Sequence, residues 1–173
     1  PPGAPSRQWE QQRLAILTQL TRGTCPLLVA TVEGLLQRTL PQETLTQACR
    51  QFQVGQVCQL DDLTDFLVRA GYTRCDQVEG PGQFALRGGI LDVFSPGLDL
   101  PLRMEFWGDE IDSMGLFDPV TQRRTAQRET CELLPAGEVI SLNGDPISGP
   151  PDLALPQVYP QVATAADYLP PNA

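Results

Sequence analysis

From Gly71 onward the chain is cut into short β-rich segments, "YTRCDQVE", "GQFALRG", "GILDVFS", "PLRMEFW" and "EIDSMGLFD", separated by glycine and proline. Runs this short and this closely spaced can bury their apolar residues only by pairing into an antiparallel sheet. The junction Trp107-Gly108-Asp109-Glu110 has the composition of a two-residue type II′ hairpin loop. Just upstream, "LDDLTDFLVRAG" carries Leu60, Leu63, Phe66, Leu67 and Ala70 at i, i+3, i+4 spacing, with Asp61 or Asp62 as cap. Gly71 stands where a helix end calls for a left-handed residue. The expected fold class is therefore α/β of the α+β kind, an antiparallel-rich sheet with that one helix packed on a face.

The N-terminal part has a different grammar. Ser6 is a candidate N-cap for a helix through Leu20, with Trp9, Arg13, Ile16, Leu17 and Leu20 near helical spacing and Gly23 closing it. "CPLLVAT", Cys25 to Thr31, reads as a buried strand, and Thr31 can cap a short helix over Val32 to Arg38 that Pro41 breaks. This helix, strand, helix order suits an α/β layer but is too short to be a whole one. Leu45 to Val54 suits a strand ended by Gly55, and residues 144–160, rich in proline and glycine, read as an extended connection. A chain of 173 residues that starts at Pro1 and ends "DYLPPNA" is expected to be a fragment: a small domain plus pieces of a neighbour.

Composition removes most catalytic chemistries. There is no histidine, and all 12 basic residues are arginine. Serine, cysteine and general-base schemes that need histidine fail, as do a lysine Schiff base and a P-loop, which needs its lysine on the phosphates. The carboxylate pairs Asp61-Asp62 and Asp109-Glu110 read as a helix start and a hairpin turn rather than as a glycosidase pair. Five cysteines, never spaced as CxxC, read as reduced thiols, and no metal or cofactor is expected. A formal charge of −9 opposes the counterion release that drives nucleic-acid binding, so no direct DNA contact is expected. With no membrane-length apolar run and no apolar h-region at "PPGAPSRQWEQQR", the chain reads as soluble and cytoplasmic.

Alternation then picks out an arginine. In "GQFALRGGI" Phe84 and Leu86 share one face while Ala85 and Arg87 share the other, so Arg87 points away from the core and Gly88-Gly89 lets the chain bend after it. In "PLRMEF" Leu102, Met104 and Phe106 point inward, Arg103 and Glu105 outward. If these strands are neighbours, Arg87, Arg103 and Glu105 share one face, and Arg74 can join them. Two readings stay open on pattern alone: a solvated face with weak ion pairs, or a polar docking surface built on arginine forks.

"GYTRCDQVEGPGQFALRGGILDVFSPG", "PLRMEFWGDEIDSMGLFDPVTQRR" and "LLPAGEV" together resemble the segment shared by the bacterial transcription-repair coupling factor (Mfd) and the excision-repair subunit UvrB. "RLAILTQLTRGTCPLLVATVEGLLQR", "DPVTQRR" and "ATAADYLPPNA" resemble the coupling factor more than UvrB. The resemblance implies an interaction module, residues 43–135, set between the end of a degenerate helicase-like lobe, 1–42, and a return segment, 136–173. It implies docking of UvrA at an RNA polymerase stalled by DNA damage, with the ATP-driven motor, DNA and polymerase contacts in other parts of the parent. It also implies a C-terminal domain of the parent that masks the surface.

Residue by residue, the Tyr-x-Arg arginine falls on Arg74, the arginine before the glycines on Arg87, and the Arg-x-Glu pair on Arg103 and Glu105. Where UvrB has a further arginine, this chain has Ala85. The competing readings are a fragment of UvrB itself, part of an ATP-dependent damage loader, and a structural module that has lost its partner.

Overall fold

A computed structural model of the chain describes residues 7–140 and 151–170; the Ser6 cap and residues 144–150 of the expected connection lie outside these. In chain order the elements are α1 (Arg7–Thr21), α2 (Val32–Leu36), β1 (Arg38–Thr39), α3 (Gln42–Ala48), β2 (Arg50–Gln53), α4 (Leu60–Arg69), β3 (Thr73–Arg74), β4 (Gln83–Arg87), β5 (Ile90–Phe94), β6 (Leu102–Trp107), β7 (Glu110–Phe117), β8 (Arg124–Arg128), β9 (Thr130–Leu133), α5 (Pro151–Val158) and β10 (Ala163–Thr164), followed by a 3₁₀ turn at Ala165–Tyr168.

A six-stranded sheet runs in the order β3-β4-β5-β6-β7-β8. Every pairing in it is antiparallel except β3 on β4. The mixed architecture is the α+β class expected. Helix α4 buries Leu63 and Leu67 in one apolar cluster with Phe84, Leu91, Val93, Leu102, Met104, Ile111 and Met114. On β5 and β6 these positions alternate, as a sheet with one buried face requires, while Ile111 and Met114 stand three apart because β7 carries an extra residue at a register shift against Glu105/Phe106. Gly71 takes φ +90°, which ends α4 without strain, whereas the helix cap is Gln59 with no side-chain bond, so neither Asp61 nor Asp62 fills that role.

The hairpin turns follow their composition. Gly88 and Gly108 have φ of +58° and +60°, the geometry of the first central position in a type II′ turn. Strands β8 and β9 were not legible in the sequence.

A second apolar cluster joins Leu14 and Leu17 of α1, Leu40, Leu45 and Ala48, Ile140, Leu155, Tyr159 and Tyr168. Three expectations change here. Leu45 to Val54 is not one strand: Leu45 and Ala48, three apart, turn inward from α3, and only the short β2 follows. Residues 151–158 are helical rather than extended; Pro151 falls at the helix start, where its missing N–H costs nothing, and Pro156 is accepted inside the helix while Ala154 and Leu155 pack. Cys25 to Thr31 forms no strand, and Leu27 and Val29 are exposed. No strand among the described residues pairs with this run, so its backbone has no ladder to join.

Strands β2 and β9 pair antiparallel, Arg50 with Leu133 through Gln53 with Thr130, at the base of the larger unit. Arg13 Nε and Nη2 of α1 donate to Glu138 Oε1 and Oε2 at 2.5 and 2.6 Å, and the Glu138 N–H donates to Glu10 Oε1 at 2.6 Å. Glu138 is fully buried. These contacts bind α1 to the segment that leaves the sheet.

Candidate docking face

The face of the sheet opposite α4 carries the polar cluster. Register places Ala85 opposite Asp92 and Asp92 opposite Arg103, so these side chains stand on one side of β4, β5 and β6. Asp92 interrupts the apolar run "ILDVF" at an outward position and is buried there. Its two oxygens accept from Arg103 Nε and Nη2 at 2.7 and 2.8 Å, and Oδ2 also accepts from Arg87 Nη2 at 2.9 Å. Side-chain exposure falls from 51% at Arg87 to 17% at Arg103 and 3% at Asp92. One buried carboxylate thus holds two arginines, and the outer one keeps half its side chain in solvent.

Arg103 is further held from two directions. Its guanidinium lies 4.3 Å from the centroid of the buried Phe117 ring, a cation–π contact. Its Nη2 donates to Gln122 Oε1 at 2.8 Å, and Gln122 Nε2 donates to the Pro119 carbonyl at 2.7 Å. Gln122 has φ +60°, the only positive φ among the described non-glycine residues. That conformation costs on the order of 1 kcal/mol. It sits in a turn closed by Asp118, whose Oδ1 accepts from the N–H groups of Thr121 and Val120, bonds that hold its carboxyl below the ordinary range. The Asp92 hydrogen bonds push the Arg103 guanidinium pKa above its ordinary value. Arg103 is therefore a fixed cation.

Glu105 continues the lattice. It accepts from Ser113 Oγ at 2.9 Å and from Arg124 Nη2 at 2.9 Å. Arg124 reaches it across Gly115, where a Cβ would stand 2.9 Å from Arg124 Cδ and 2.7 Å from the Ala126 carbonyl oxygen. Glycine is what leaves that lane open.

Of the four residues singled out in the sequence, Arg87, Arg103 and Glu105 come together on this face. Arg103 is largely covered by its partners rather than offered outward. Arg74 is paired in register with Phe84, on the other alternation phase, and shares with Arg87 only the lining of a cleft of about 380 Å³ that also includes Leu86. Ala85 packs in a small apolar cluster with Val78 and Phe94. Sequence reasoning missed Asp92, Gln122 and Arg124. A lone acid at an outward position of an apolar strand was the available signal for Asp92; the other two depend on a turn whose geometry no local pattern announces. Among the described residues no group of histidine, cysteine, aspartate or glutamate side chains forms a metal site, and no helix is long and apolar enough to cross a membrane.

The comparisons with known proteins fall on this same unit. Residues 51–138, half of the chain, match the family model described as the UvrB interaction domain. The chain belongs to that family. The UvrB interaction domain thus takes in β2 through β9 with α4 between them, and every residue of the polar face. Among curated relatives, the transcription-repair-coupling factor of Myxococcus xanthus is 42% identical over 75% of this chain and 11% of its own length. Those of Escherichia coli and Bacillus subtilis are 38% and 34% identical, each over 78% of this chain and 12% of the relative. The chain therefore spans about one-eighth or less of the length of these relatives.

Proposed function

We propose that this chain is the partner-docking part of a transcription-repair coupling factor, recruiting UvrA through the arginine-bearing sheet face. The observation that carries the reading is the state of Arg87: anchored by one bond to a buried carboxylate, yet half exposed. An arginine fixed in this way offers its remaining donors to a partner carboxylate with little further loss of side-chain freedom. The family name and the named relatives support a role in coupling repair to transcription, and they favour a coupling factor over UvrB itself. Under this reading Arg74 and Arg87 touch UvrA, while Arg103 and Glu105 set their surroundings.

The remainder belongs to the same proposal. The parent protein works in the bacterial cytoplasm, the ATP-driven motor and the polymerase and DNA contacts lie outside this chain, and a C-terminal domain of the parent covers the face until it is needed. The unit at 43–135 acts as the docking body.

Binding of the chain to purified UvrA, measured by calorimetry beside Arg87→Glu, tests the reading. The substitution sets a second carboxylate against Asp92 and reverses the charge offered outward. A loss of about thirtyfold, roughly 2 kcal/mol, is expected, with circular dichroism unchanged. Equal binding by the variant would move the interface elsewhere.

A further inference from the structure

We infer that the docking face has an apolar anchor beside its arginines, centred on Trp107 with Ile90, and that it takes a partner protein surface presenting an apolar side chain next to a carboxylate. This rests on the docking reading above and names what that partner must offer.

Trp107 is 84% exposed, so the fold gains almost nothing from burying it. Its position is nonetheless fixed. It is the last residue of β6, paired with Glu110 across the Gly108-Asp109 turn. The hairpin tip is also gripped from outside: Cys58 N–H donates to the Asp109 carbonyl at 2.7 Å, Gly55 N–H to the Ile111 carbonyl at 2.8 Å, and Val57 bridges Glu110. A solvent-facing indole on a fixed backbone, with only two side-chain torsions to order, supplies binding area at small entropic cost.

Register puts this indole with the arginines. Arg87 is opposite Ile90 and Ile90 is opposite Glu105. The pairing with β7 shifts register between Glu105 and Phe106, but Phe106 packs against the core cluster, which leaves Trp107 on the outer side with Glu105. Exposed Ile90 therefore lies between the cation and the indole. Two strands across and two residues along amount to roughly 10 and 7 Å, well inside one ordinary interface patch. The charge decides the occupant. In a chain of formal charge −9, Arg87 presents free donors at one end of this strip, which selects a carboxylate, while Trp107 and Ile90 select an apolar side chain beside it. Aromatic and arginine anchors of this kind carry most of the energy at protein interfaces.

The test is calorimetric titration of UvrA with the whole chain, using Trp107→Ser, Ile90→Ser and Arg87→Glu in parallel. Trp107 and Ile90 are exposed, so thermal melting of Trp107→Ser and Ile90→Ser should match the parent chain. Arg87→Glu removes a partner of buried Asp92 and is read at a temperature where circular dichroism shows it folded. Trp107→Ser should weaken UvrA binding at least tenfold, and Ile90→Ser by a smaller factor. In a Trp9→Phe background, Trp107 emission should shift to the blue and resist quenching by acrylamide as UvrA is added. If Arg87→Glu loses binding while Trp107→Ser binds as well as the parent, with emission unchanged, the anchor is overturned and the docking face stands. If the parent chain itself does not bind UvrA, both are overturned.

Discussion

Replacing Arg13 with alanine is expected to destabilise the protein by about 3–5 kcal/mol, because it leaves the fully buried Glu138 carboxylate without its bidentate partner. The pH dependence identifies the cause. Burial pushes the Glu138 carboxyl from an ordinary 4.5 up to about 7, against the lowering effect of the Arg13 guanidinium. Between those two values the folded chain keeps a proton that the unfolded chain has released. Stability from this group is therefore greatest below about 4.5, falls as pH rises toward 7, and is level above that. Without Arg13 the carboxyl is harder still to ionise, so urea unfolding should show a larger deficit at pH 8 than at pH 5. Glu138→Gln should flatten the parent's pH dependence across the same window. An Arg13→Ala deficit equal at both pH values would show that the loss comes from packing of the arginine stem and not from the charge pair.

The second large effect is expected at Asp92. Asp92→Ala removes the acceptor of three charge-assisted hydrogen bonds and leaves Arg103, little exposed and lying on Phe117, with Gln122 as its remaining acceptor in this cluster. A cost of about 3 kcal/mol follows from stranding a mostly buried cation. UvrA affinity should fall as well, since Arg87 loses the bond that orients it. The double variant Asp92→Ala with Arg103→Leu separates the two roles. Removing the stranded cation should restore much of the stability, and binding should stay weak because Arg87 remains loose. Recovery of both together would mean that Asp92 serves the fold alone.

The sheet and α4 were legible because their residues obey short-range rules. Period-two alternation, glycine at positive φ and an i, i+3, i+4 stripe are each decided within a few residues. The same alternation puts Arg87, Arg103 and Glu105 on one face without reference to any contact. It did not show that Arg103 is covered, because that depends on Asp92 from the neighbouring strand and Gln122 from a turn after β7. Cys25 to Thr31 misled for the opposite reason: its apolar run has strand composition, but a strand exists only where another strand accepts its hydrogen bonds. α3 and α5 were missed because tertiary packing of Leu45, Ala48 and Leu155 overrode weak local signals, a proline in the second case included.

The pairing of β2 with β9 gives the unit a mechanical character. The chain comes in at Arg50 and goes out at Leu133, which are partners at the same end of that ladder. Tension between the flanking segments therefore meets the ladder in the unzipping direction, one rung at a time from Arg50 to Gln53, after the Arg13–Glu138 clasp. The exit segment is also tied to the sheet unit outside this ladder, since Leu134 N–H donates to Ser95 Oγ, Tyr72 O–H to the Leu134 carbonyl and Ala136 N–H to the Ala70 carbonyl. These bonds share the load with the rungs. Opening the base of the unit therefore means breaking these side bonds together with the ladder, not the ladder alone.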